Sequence, residues 1–148
     1  MINKTNSLFI LRLAIGWYFF YAGFTKIIDP AWSAVGYIGS ANNLKFIYQF
    51  FGSAEMIGVT NLLNEWGLTL VGVALILGIG NRFASICGIM LMALYYLVLP
   101  FPHPDAHSFI IDNHLIFISA FLVLIAFSGE DKITALPKLK LSLPKFLR

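Results

Sequence analysis

Four stretches of this chain, residues 8–24, 62–79, 83–99 and 110–127, are apolar almost throughout. Runs of that length and uniformity read as helices that cross a bilayer. A helix over residues 8–24 would be about 25 Å long at about 1.5 Å per residue, slightly short of a hydrocarbon core of about 30 Å. The composition agrees: 59% of residues are hydrophobic and only 11% charged, where a soluble domain carries about 25% charged residues. The expected fold class is therefore all-α, an integral membrane four-helix bundle in a single domain over residues 1–148.

Between the first and second spans lies a long connection, residues 25–61, holding Pro30, Trp32, Tyr37 and the aromatic run 46–51. A crossing over residues 44–63 would carry Lys45, Gln49, Glu55 and Asn61 into lipid, and charges near a helix centre are costly. The connection is expected to be interfacial or re-entrant instead, its rings at headgroup level. The first span lacks a convincing cleavage site and is expected to remain as a helix rather than leave as a signal peptide. Arg12, in its first turns, is expected to snorkel to the interface or to pair with Glu130 or Asp131. Gly16, Gly23, Gly72, Gly78 and Gly88 are expected to let helices approach closely.

The reactive residues are concentrated at one end. His103, Asp105, His107, Asp112 and His114 fall in one stretch that contains all three histidines of the protein. With four crossings, Lys26, Asn64, Glu65, Tyr95 and Tyr96 share that end. The five acids and histidines are legitimate metal ligands, but prolines at 100, 102 and 104 favour an extended start. Asp112 and His114 would stand about 200° apart on a helix of 3.6 residues per turn, so a converging metal set is not expected. A solvated loop with Asp112 near a helix N-terminus is the simpler expectation.

Leu11-Arg-Leu-Ala-Ile-Gly16 and Tyr21-Ala-Gly-Phe-Thr-Lys26 resemble the opening of the DoxX family. Asp29-Pro-Ala-Trp-Ser-Ala-Val-Gly-Tyr37, Asn64-Glu-Trp-Gly-Leu-Thr-Leu-Val-Gly72, Leu75-Ile-Leu-Gly78, Tyr95-Tyr96 and Ile111-Asp-Asn-His-Leu-Ile116 resemble its DoxD-like branch. The resemblance extends over about residues 8–130. It implies a four-helix membrane protein related to a subunit of a thiosulfate:quinone oxidoreductase, and it supplies no map of catalytic residues.

On that reading the chain is a membrane redox subunit passing electrons from a small reduced sulfur compound such as thiosulfate to quinone. Lys26 and His107 would meet the dianionic substrate, Trp66, Tyr95 and Tyr96 would line a quinone slot, and His114, Asp112 and Glu65 would handle protons. Glu65, Asp112 and His114 are expected to approach one another at a cavity mouth. Cys87 lies within a span, where a thiol is inert. The chain carries no covalent haem, flavin or nucleotide motif and no dithiol. Its expected partners are the lipid bilayer, a second membrane or soluble redox subunit, and a homo-oligomer; nucleic acid is not among them. The rival readings are a scaffold that anchors a soluble partner and, less favoured because midplane polar residues are sparse, a small-molecule carrier.

Cations set the expected orientation in the cell membrane. Lys4, Arg12, Arg82 and the basic tail of residues 130–148 fall on one side of a four-span chain, Lys26 and Lys45 on the other. Lys and Arg accumulate in the cytoplasm, so both termini are expected there. Reporter fusions at Lys4 and after Arg148 should both read as cytoplasmic; a reporter outside at either end overturns this topology.

Overall fold

The computed structural model describes residues 3–101 and 109–128. The basic tail, His103, Asp105 and His107, and the expected partners of Arg12, Glu130 and Asp131, lie outside the described residues. Among those described, every regular element is a helix: α1 Lys4–Ile28, α2 Val35–Gly39, α3 Lys45–Phe51, α4 Ile57–Leu77, α5 Asn81–Val98 and α6 Asn113–Ala126. By length and composition α1, α4 and α5 can each cross a membrane; α6 is apolar but shorter, with 14 residues. The chain is thus a helical membrane bundle.

Each end differs from the hydropathy reading for a local reason. The first helix starts at Lys4 rather than Leu8, because Asn3 caps it by accepting the Thr5 amide at 2.7 Å. Its 25 residues span about 37 Å, enough for a hydrocarbon core. The second long helix starts at Ile57, not at residue 62, since polar Thr60 and Asn61 are helical and bonded across the connection. Thr60 donates to the Phe51 carbonyl at 2.9 Å, and Asn61 accepts the Ala34 amide at 2.9 Å. The last helix starts only after Asp112, whose extended backbone stops it from reaching back to residue 110.

The tight turn between α4 and α5 depends on two glycines. Gly78 and Gly80 have φ of 73° and 59°, a left-handed backbone that favours glycine. Ile79 N donates to Ala74 O at 2.9 Å and Gly78 N to Leu75 O at 3.2 Å, the paired bonds of a Schellman helix end. Gly78 therefore serves this turn rather than helix packing.

The other four glycines do allow close approach. A Cβ at Gly23 would lie 2.5 Å from the Thr69 nitrogen and 2.7 Å from the Glu65 oxygen; at Gly72 it would lie 2.6 Å from Phe20 Cα and 2.7 Å from the Gly16 oxygen. Gly16 itself leaves 3.0 Å to Ile76 Cγ1. So α1 lies backbone to backbone along α4. On α5, Gly88 receives the tip of the Phe121 ring from α6, where a Cβ would stand 2.6 Å from Cε2. Phe19 of α1 meets Phe121 edge-on at 5.1 Å and Phe117 at 5.6 Å, so α6 closes the bundle against α1. Phe19, Leu75 and Phe121 are all 0% exposed.

Arg12 does not snorkel. It is wholly buried, because it shares the inward stripe Leu8, Ile15, Gly16, Phe19 and Gly23 of α1. Its guanidinium stands 5.4 Å from the Phe9 ring centroid. At the same end of the bundle Lys4 Nζ lies 4.1 Å from the Phe127 ring, so the start of α1 and the end of α6 are neighbours. The end of α6 therefore returns to the end of the bundle where α1 begins.

The connection is two short helices that fasten to the far end of α5. Ala34, Ile38, Ala41 and Tyr48 form a second small core with Val98. Tyr48 Oη donates to Leu94 O at 2.7 Å, Tyr37 Oη to Tyr95 O at 2.8 Å, and Asn42 N to Val98 O at 3.1 Å. Asn43 Nδ2 donates to Leu99 O. The last carbonyls of a helix have no partner within it, and the connection supplies partners here.

Gly72→Ala should cost about 1–3 kcal/mol by overpacking and lower the melting temperature in detergent. Gly58→Ala, with nothing within 4 Å of its added carbon, should instead add about 0.5–1 kcal/mol. A Gly72→Ala protein that melts with the parent would rule out this helix contact.

Candidate functional site: a polar cavity at one end of the bundle

A cavity of about 670 Å³ opens where α1 ends and α6 begins. It draws Lys26 from α1, Trp32 and Tyr37 from the connection, Asn64 from α4, Tyr95 from α5, and Asp112 and His114 from the start of α6. Residues from five parts of the chain therefore meet in one space, which the helix ends alone would not enclose.

Lys26 enters from the last turn of α1, whose close packing on α4 brings it to Asn64. Its Nζ donates to Asn64 Oδ1 at 3.0 Å. The same ammonium stands 5.0 Å from the Trp32 ring and 5.9 Å from the Tyr95 ring, within the reach of cation–π attraction. The cation is thus held by one amide oxygen and two aromatic faces, and the charge of Glu65 also acts on it.

Asp112 and His114 form the second half. Asp112 is the N-cap of α6, with φ −117° and ψ −174°. Its Oδ1 accepts the His114 amide at 3.0 Å and the Leu115 amide at 3.2 Å, and its Oδ2 meets His114 Nδ1 at 2.5 Å. The expectation that these side chains diverge by about 200° does not hold. That angle applies between two helical residues, and Asp112 is extended, so its carboxylate folds back over the first turn. Burial pushes its carboxyl pKa upward. The bonds from the His114 ring and the two amides outweigh this and hold it below the usual value of 3.8. The anionic carboxylate requires a proton on Nδ1, which leaves Nε2 as the ring atom free to exchange.

Tyr95 joins the halves. Its ring meets His114 edge-on at 6.0 Å and Tyr37 edge-on at 6.1 Å. Burial, the Asp112 charge and Tyr48 push the Tyr37 hydroxyl up to about 12, so it stays a neutral donor to the Tyr95 carbonyl.

The cavity brings together Lys26, Tyr95, Asp112 and His114 of the residues expected from sequence. Glu65 is not among its walls; its neighbour Asn64 takes that place. The expected meeting of Glu65 with Asp112 and His114 is therefore reduced to that of the last two. Trp66 is 48% exposed on the outer flank of α4. Tyr96 turns away and donates to Ile110 O at 2.9 Å, tying α5 to the chain entering α6. His107 lies outside the described residues. Among those described, no three acid, histidine or cysteine side chains gather as a metal set. Sequence reasoning missed Trp32, Tyr37 and Asn64 as walls. The first two were visible as aromatics in a polar connection, but nothing local shows that the connection folds over the cavity.

A carboxyl whose folded pKa is lowered adds stability that is full above its unfolded value and lost as pH falls through the folded one. The protein should therefore lose stability on acidification below about pH 4. Asp112→Asn keeps a capping oxygen and should flatten that part of the profile. Identical acid profiles for the two proteins, read by thermal melting in detergent, would remove this pair from the balance.

The DoxX family profile matches residues 7–100. The match runs from α1 to the end of α5, so it includes Lys26, Asn64 and Tyr95 but stops before Asp112 and His114. No curated protein and no solved structure matches the chain. With more than half of the chain under the family profile, this membrane protein with its long apolar helices belongs to the DoxX family.

Proposed function

We propose that this chain is a DoxD-like membrane redox subunit that passes electrons from a small reduced sulfur compound such as thiosulfate to quinone, with the quinone ring in the cavity. The observation that carries the reading is the convergence of one held cation and one carboxylate–histidine pair on an aromatic-walled space. A quinone head is flat and bears hydrogen-bond acceptors at opposite edges, so the residues fit it. When bound, quinone takes up two electrons and two protons, while two thiosulfates join into one tetrathionate and give up two electrons.

The chain's own residues bind and handle protons. Lys26, fixed by Asn64, presents an N–H to one oxygen and stabilises negative charge there. Tyr95 and Trp32 offer ring faces. His114, oriented by Asp112 through Nδ1, gives a proton from Nε2 and regains one from water at the open mouth. Cys87 is the sole cysteine, so chemistry at sulfur falls to a partner subunit. The scaffold reading draws support from the family match, which ends before the Asp112–His114 pair.

The test is quinone reduction by protein purified in mild detergent, with thiosulfate as donor, with and without any co-purified subunit. Loss of general acid catalysis commonly costs about 10²–10⁴ in rate. His114→Ala should fall in that range, and Lys26→Met by at least about tenfold, both in protein that still melts cooperatively. Full turnover in folded His114→Ala would remove the histidine from the mechanism. No turnover by the parent, alone or with its partner, would favour the scaffold.

A further inference from the structure

The short helix α3 presents three different sides. At about 100° per residue, Tyr48 points into the bundle and is 6% exposed, while Phe46 and Phe50 stand on the opposite side at 85% and 56%. Lys45 and Gln49 share one flank, Ile47 and Phe51 the other. The polar flank carries no acid, and Lys45 has no hydrogen bond or ion pair among the described residues. Two phenyl rings this exposed are costly against water and not against lipid.

The attachments of α3 fix its direction. Its start is tied to α5, where Asn43 Nδ2 donates to Leu99 O, and its end to α4, where Thr60 donates to the Phe51 carbonyl at 2.9 Å. Leu99 and Thr60 stand nearly equally far along the chain from the Gly78–Gly80 turn. On two helices that run antiparallel from that turn, they lie at one height. α3 therefore runs sideways across the bundle, in the plane of the membrane rather than through it. Its two flanks then differ in depth. Phe51 borders a chamber of about 130 Å³ that also touches Leu63 and Leu91, both nearer the turn and so deeper in the bundle. Lys45 and Gln49 lie on the other flank, at a separate cleft of about 310 Å³ between α2 and α3. A helix with an apolar body and a basic flank turned toward water suits the headgroup boundary.

We infer that α3 seats an anionic phospholipid. The phosphate sits at the mouth of that cleft, facing the Lys45 ammonium and accepting a hydrogen bond from the Gln49 amide. An acyl chain runs into the membrane past Phe46 and Phe50. Charge complementarity selects this occupant: the lysine attracts a phosphate, and the two rings meet the chain of the same molecule. A soluble anion uses only the first. This seat shares no wall with the polar cavity and is independent of the quinone reading.

The test uses the full chain in phosphatidylcholine nanodiscs. Trp17→Phe and Trp66→Phe remove two exposed tryptophans, and Phe50→Trp places a reporter at the seat. The probes are phosphatidylglycerol and phosphatidylcholine brominated on the acyl chain. The readout is quenching of the fluorescence that Phe50→Trp adds. Phosphatidylglycerol should quench at the lower mole fraction. Lys45→Met should raise its half-quenching fraction by about fivefold, the worth of one basic residue near a lipid surface, and Lys45→Arg should keep the preference. Lys45 is exposed, so neither variant disturbs packing. All other cations are the same in the three proteins and cannot produce the difference. A phosphatidylglycerol preference unchanged in Lys45→Met overturns the seat. Absence of quenching of the introduced tryptophan by either lipid overturns the in-plane placement and the seat with it. Glycerol phosphate that relieves the quenching would assign the phosphate site to a soluble anion and overturn the lipid occupant.

Discussion

The backbone contact between α1 and α4 at Gly23 and Gly72 determines where everything else can go. Lipid tails are as apolar as leucine, so helices in a bilayer are held by close packing rather than by escape from water. Two glycines remove the side chains that would hold the backbones apart. The last turn of α1 then reaches the level of Asn64, and a lysine that would otherwise be an interfacial charge becomes a held cation inside a cavity. On the other flank Gly88 lets Phe121 approach α5, which brings α6 and its capping aspartate to the same end.

The site is then finished by backbone accounting. Three polar hydrogen-bond obligations meet here: the amides that open α6, the carbonyls that close α5, and the amide of Ala34 at the start of the connection. Asp112 satisfies the first, the connection satisfies the second, and Asn61 the third. Two of these solutions also shape the cavity. The capping carboxylate keeps one oxygen for His114. The tyrosine that binds an α5 carbonyl also walls the cavity.

Much of the bundle was legible in the sequence because hydropathy reports lipid exposure directly, and residues 62–79 and 83–99 lie close to α4 and α5. What hydropathy misreads is polar residues that remain helical. Lys4, Thr60 and Asn61 all sit inside helices because a cap or a cross-connection bond supports them. Arg12 misled for the opposite reason: charge suggests an exit to water, whereas helical register places it on the buried stripe. Of the site, Lys26, Tyr95, Asp112 and His114 were legible as polar or aromatic residues at one level of the bundle. Asn64 rather than Glu65 was not, since one step along a helix turns a side chain by about 100° and only packing fixes which of two neighbours faces inward. The fold of the connection over the cavity depends on bonds between residues about fifty positions apart, which no local pattern carries.

The connection cannot lift from the cavity as a free flap. Its tyrosines and Asn42 are the hydrogen-bond partners of the final turn of α5, so raising it strands those carbonyls and loosens that turn. Uncovering the cavity on this side is consequently a small cooperative unfolding event, not a hinge motion. Amide exchange of the α5 terminus and accessibility of the cavity then share one opening equilibrium, slower than the side-chain rotations that govern an ordinary surface pocket.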